Sequence, residues 1–204
     1  MRNPLRFPRL EFGPEGISIR SAILVTLLPL FASGLMVGCT PALDWREVRL
    51  ADSGLSLLFP CKPQSQTRAV DVAGLPWSAS LTACEAGGLT FAAMVLSPTA
   101  GPSATPPNPP DRQALLGDLS RDAGGRWGPA QADQGPPAGV RLPDALGQQA
   151  RWARHLKSAQ GAAPVATQAL FLVTPQGLAQ LSVHGQHLGE AALEGFFGQL
   201  KVSP

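Results

Sequence analysis

Ten residues, Leu75 to Cys84, constrain the fold more than any others. Leu75, Trp77, Ala79, Leu81 and Ala83 fall on one side of an extended chain, and Ser78, Ser80, Thr82 and Cys84 on the other. A strand's two-residue period produces that split when one face meets a core. Glu85-Ala86-Gly87-Gly88 then reads as a turn and Leu89 to Leu96 as the returning strand. Residues 75–96 are therefore predicted to form a hairpin.

The rest of the chain extends this pattern. Gly54 to Phe59 alternates, with Leu55, Leu57 and Phe59 on one face, until Pro60-Cys61-Lys62-Pro63 stops it. Gln149 to Lys157 alternates too. Val165–Val173 and Leu178–His184 form a second hairpin, turned by Thr174-Pro175-Gln176-Gly177. Two helices are expected. One starts at Asp111 as N-cap, carries Leu115, Leu116 and Leu119, and ends at Gly124-Gly125. The other runs near 187–200, with Leu193, Phe196, Phe197 and Leu200 at helical spacing. Pro/Gly-rich loops fill 97–110 and 128–147 and hold 10 of the 21 prolines. Successive hairpins with helices packed on them make an α+β domain built on an antiparallel sheet.

The N-terminus has a different character. Ser21 to Val37 is an uncharged apolar run preceded by Arg2, Arg6, Arg9 and Arg20. A positive flank before such a run is the pattern of an export signal; a retained membrane helix is the alternative, for which the run is slightly short. Of 16 basic and 14 acidic side chains, four Arg and two Glu (Glu11, Glu15) precede Cys39, which leaves 12 of each beyond it. That balance lacks the basic footprint of a nucleic-acid binder.

Leu35-Met36-Val37-Gly38-Cys39, at the end of the run, resembles the lipobox of bacterial lipoprotein signals. The resemblance implies cleavage after Gly38, lipid on the Cys39 thiol and acylation of its new amine. It divides the chain into a signal peptide (1–38), a lipidated tether (39–50) and one domain (51–204), with Ala42 to Ala51 read as the tether end and an entry strand. Several acyl chains hold stably where one holds marginally. Thr40, rather than Asp, after the cysteine implies the outer membrane, with the domain facing the periplasm. Lipidation of Cys39 would leave Cys61 and Cys84 as a disulfide pair in an oxidising compartment, two free buried thiols being the alternative.

The domain itself resembles a PsbP-like α/β/α sandwich. The residues that carry the likeness are Gly54 through Pro60 and Pro63, then Leu181-Ser182-Val183-His184-Gly185, then Phe196-Phe197-Gly198-Gln199-Leu200. That family hosts accessory and partner-binding modules among other roles, so the likeness implies a fold rather than a function.

Candidate sites are sparse. His184-Gly185-Gln186-His187 offers two histidines three apart, to be weighed against two exposed loop histidines. Arg151, His155 and Lys157 share a strand face that could meet an anionic group, or simply be solvated. Trp45, Trp77, Trp127 and Trp152 could line a groove, although Trp77 and Trp152 on strands favour core packing. No GxSxG elbow, GxGxxG turn or Walker-type lysine occurs. The expectation is a non-enzymatic envelope lipoprotein without catalytic residues, metal or cofactor, held to a membrane and serving an envelope protein partner. The alternatives are an envelope hydrolase with an unrecognised site and a small-ligand-binding lipoprotein.

Overall fold

The computed structural model describes residues 43–50, 53–72, 75–99, 109–131, 135–147, 150–158 and 161–202. The apolar run 21–37, Gly38, Cys39 and Thr40 lie outside the described residues, as does most of the 97–110 loop.

Thirteen elements follow one another. They are β1 (Arg46–Leu50), β2 (Leu55–Phe59), β3 (Gln64–Val72), β4 (Leu75–Ala86), β5 (Leu89–Pro98), α1 (Pro109–Trp127) and β6 (Ala130–Gln131). Then come α2 (Asp144–Gly147), β7 (Ala150–Lys157), β8 (Val165–Thr174), β9 (Gly177–Gly185), α3 (Glu190–Phe197) and β10 (Lys201–Val202). The fold is α+β. Seven strands make an antiparallel sheet in the order β3-β4-β5-β9-β8-β7-β6, and β1-β2-β10 make a small second sheet.

Both expected hairpins are present. Ala86 faces Leu89 across the first turn and Thr174 faces Gly177 across the second. Gly87 and Gly88 both have positive φ, 59° and 73°, the geometry of a two-residue hairpin turn. Cys61 and Cys84 are joined by a disulfide with their Cα atoms 6.1 Å apart. A loop of this length contributes about 3 kcal/mol on the chain-entropy account.

The large sheet is covered on both faces. On one, Phe91, Val95, Leu170, Leu181 and Val183 meet Leu55, Leu57 and Phe59 of β2 and Leu193, Phe196 and Phe197 of α3. Val140 and Leu146, from the Pro/Gly-rich 128–147 stretch, join the same core. On the other, Trp77, Ala79, Leu96, Phe171 and Leu178 meet Leu116, Leu119 and Ala123 of α1.

Four expectations need correction. The first helix starts at Pro109, so Asp111 lies inside it, and it continues through Gly124-Gly125 to Trp127. It ends at Gly128, whose φ of +87° supplies the left-handed stop, while a Cβ there would come within 2.7 Å of the Leu156 carbonyl oxygen. The second helix is shorter than 187–200, because Leu200 leaves it and Lys201–Val202 pairs with β2. The entry strand expected within 42–51 is present as Arg46–Leu50 of the small sheet, so the domain begins before residue 51. Finally, β3 has no counterpart in the sequence reading. It is the edge of the sheet and mostly exposed, so its residues QSQTRAVDV needed no apolar alternation.

Candidate functional site

Polar side chains gather on the α1 face, where that helix ends. Strand register places His155 of β7 opposite Thr167 of β8, Thr167 opposite His184 of β9, and His184 opposite Thr90 of β5. Residues directly opposite in an antiparallel pair share a face, so these four form a row across the sheet. Trp127 lies over the row. Its ring meets His184 edge-on at 4.8 Å and His155 at 5.6 Å between centroids.

The two imidazoles are held differently. His184 Nδ1 lies 2.9 Å from Thr167 Oγ1, and its Nε2 lies 3.0 Å from Ser182 Oγ. Hydroxyls donate or accept, so both nitrogens are satisfied in a neutral ring. Burial first, then the nearby Arg126 and His155, push the His184 pKa down to about 4. His155 is only 1% exposed, and its Nδ1–H donates to the Gly128 carbonyl at 2.8 Å. Its Nε2 is buried without a hydrogen-bond partner among the described residues.

Charge stands above this row on α1. Arg126 pairs with Asp122 at 3.3 Å and donates to Gln180 Oε1 at 3.3 Å. Burial lowers the Arg126 pKa and raises that of Asp122, each partly offset by the other's charge. Lys157 Nζ donates to the Arg126 carbonyl at 3.0 Å, which satisfies a group the helix end leaves open.

Beside the row, an open depression of about 540 Å³ lies between the Gly87–Gly88 turn, Val165 and the His184–His187 segment. A second, of about 510 Å³, lies at the opposite end of the sheet against Arg112 and the Pro175–Gln176 turn. Arg112 donates to the Thr174 and Pro175 carbonyls there, at 3.1 and 2.9 Å.

These positions alter the sequence reading. Arg151, His155 and Lys157 do not form one solvated cationic face. The centre of that face is under α1, where His155 and Ala153 are buried, and only Arg151 and Lys157 are exposed. His184 and His187 are not a pair of exposed loop histidines. His184 is on β9 with both nitrogens engaged, and only His187 is exposed. Among the described residues no three His, Cys, Asp or Glu side chains group as a metal site. Trp77 is fully buried and Trp152 packs on Phe197 at 5.1 Å, as expected of strand tryptophans. Trp45 packs edge-on to Phe91 at 6.3 Å.

The Ser182–His184 contact has the length of a nucleophile–base pair. Three features work against catalysis there. Ser182 is 2% exposed, the second imidazole nitrogen meets a threonine hydroxyl rather than a carboxylate, and the ring is a weak base. Sequence reasoning missed the row because its members lie on four strands and one helix end, with no shared local spacing. No helix among the described residues is long and apolar enough to cross a membrane. No protein-family model, curated protein or solved structure matches this chain.

Proposed function

We propose that the protein is exported, cleaved after Gly38, lipidated on Cys39, and serves in the bacterial envelope as a non-enzymatic accessory or partner-binding module. The observation that carries this reading is the Cys61–Cys84 bond. It fits an oxidising compartment, and it leaves Cys39 as the one cysteine of three not committed to a disulfide. An apolar run and a flank of arginines stand in front of that cysteine. Thr40 supports the outer membrane, with the domain in the periplasm. Helices on both faces of the central sheet support the PsbP-like sandwich.

The non-enzymatic part rests on the half-buried His184 and its buried partner Ser182. The Ser182 hydroxyl is closed to substrate, and its contact with His184 is built like a structural hydrogen-bond chain. The test is mass spectrometry of the membrane fraction, combined with crosslinking in cells. The expected result is a mature N-terminus at acylated Cys39 and a reproducible envelope partner. A protein found in solution with residues 21–38 intact and a free Cys39 thiol would overturn the anchoring. Persistent failure to crosslink any partner would overturn the binding role.

A further inference from the structure

The point where the chain enters the domain decides which end of the large sheet a lipid tether would hold. Leu43 is four residues beyond Cys39. Four residues reach at most about 14 Å, whatever path they take. The Leu43 side chain lies against the β4–β5 turn, where a Cβ built on Gly87 would meet its Cδ2 at 3.8 Å. The next residue is pinned as well, since the Asp44 N–H donates to the Pro60 carbonyl at 2.7 Å. The Cys61–Cys84 disulfide fastens the same end, three residues before Gly87.

Register puts two more segments there. Thr90, just after the turn, faces His184, and Ala166 faces Gly185. Residues 161–165 and the segment 185–189 therefore stand at the same end of the sheet as Leu43. Neither they nor residues 87–89 contain Asp, Glu, Lys or Arg; His187 is the one ionisable side chain in all three. Val165 stands 40% exposed among them. Such a surface can approach a headgroup layer while stripping water from few fixed charges, among them Lys157 opposite Val165 and Glu85 opposite Thr90. The Pro175–Gln176 turn lies at the other end of β8, roughly 30 Å away at the rise of a ten-residue strand.

We propose that the end formed by the Gly87–Gly88 turn, Val165 and Gln186–His187 rests against the lipid headgroups. The sheet stands away from the bilayer, and the Pro175–Gln176 turn reaches into the aqueous space. This orientation rests on the lipid anchor at Cys39. It leaves the exposed β3 edge and the Pro175–Gln176 end accessible to a partner.

The experiment uses the full lipidated chain. With Cys39 acylated and Cys61–Cys84 bonded, an introduced cysteine is the single free thiol. Gln186→Cys, Val165→Cys and Gln176→Cys all replace exposed residues. Each is labelled with a fluorophore and reconstituted into vesicles of phosphatidylethanolamine and phosphatidylglycerol that carry a headgroup-attached quencher. The expected result is quenching several-fold stronger at positions 186 and 165 than at 176. Equal quenching at all three, or the strongest at 176, overturns the orientation. The mass of each sample is measured in parallel. Acylated Cys39 with equal quenching removes the orientation alone, whereas unmodified Cys39 removes the anchoring reading and the orientation with it.

Discussion

The same strands present two very different surfaces. Toward α3, β5, β8 and β9 offer Phe91, Val95, Leu170, Leu181 and Val183 to apolar partners, although the buried amide of Gln168 stands opposite Val183 on the same face. Toward α1, one residue along, they offer Thr90, Thr167, Gln180, Ser182 and His184 beside Phe171 and Leu178. The first face rests mainly on shape and area. The second needs each polar atom matched, because an unmatched buried group forfeits its bonds to water. A sheet buried on both sides therefore holds one face by packing and part of the other by hydrogen bonds. The two should fail under different perturbations.

The largest effect is expected on the packed face. Phe196 sits at its centre, with edge-on contacts to Phe59 at 5.4 Å, Phe91 at 5.4 Å and Phe197 at 5.1 Å. It has no exposed surface. Phe196→Ala removes a buried ring from rigid neighbours and should cost about 3–5 kcal/mol. Denaturant unfolding measures it, and the loss should be the same at pH 8 and pH 5.5, since no ionisable group takes part. A loss below about 1 kcal/mol would mean that this face can collapse around the cavity, and that it is not the tightly packed half.

Acid separates the faces from the other side. The folded pKa of His184 lies near 4, below its ordinary 6.5. Between those values the unfolded chain binds a proton that the folded chain does not. Stability is therefore whole above pH 6.5, falls as the pH drops toward 4, and is then flat with respect to this group. The slope approaches 1.4 kcal/mol per pH unit, and the full loss is of the order of 3 kcal/mol. Unfolding free energies of the wild type and His184→Gln, measured from pH 5 to 7, test this. The variant should lose the slope in that window while Phe196→Ala keeps it. Equal slopes in wild type and His184→Gln would mean that burial and the nearby Arg126 do not hold His184 neutral.

The contrast also explains what could be read from the residues. Leu55, Leu57, Phe59, Phe196 and Phe197 announce the packed face, because apolar side chains at strand or helix period have one reason to recur. The α+β class and both hairpins follow from that kind of signal. The α1 face is partly opaque. His155 and His184 stand at positions where alternation alone says solvent, and only a helix arriving from elsewhere in the chain makes them interior. β3 was silent for the opposite reason, since an edge strand open to water can be almost wholly polar. Ser182 and His184 are two apart on one strand, but Thr167 joins their hydroxyl–imidazole chain only through strand register, which is not written in any local spacing.

The helix that closes the polar face offers the smallest and cleanest test. Gly124 and Gly125 look like a stop in the sequence, yet α1 passes through them and delivers Ala123 and Trp127 to the sheet. Glycine inside a helix spends backbone entropy without adding contacts. A Cβ built on Gly125 meets nothing within 4 Å. Gly125→Ala should therefore stabilise the protein by about 1 kcal/mol, read from the denaturation midpoint at unchanged slope. If the helix ended here with a left-handed residue, alanine would cost stability instead. The sign alone separates the two structures. A gain would also place the weak point of the α1 face in the backbone of its covering helix, whereas the α3 face, whose covering helix carries the Phe196–Phe197 pair, draws its strength from side chains.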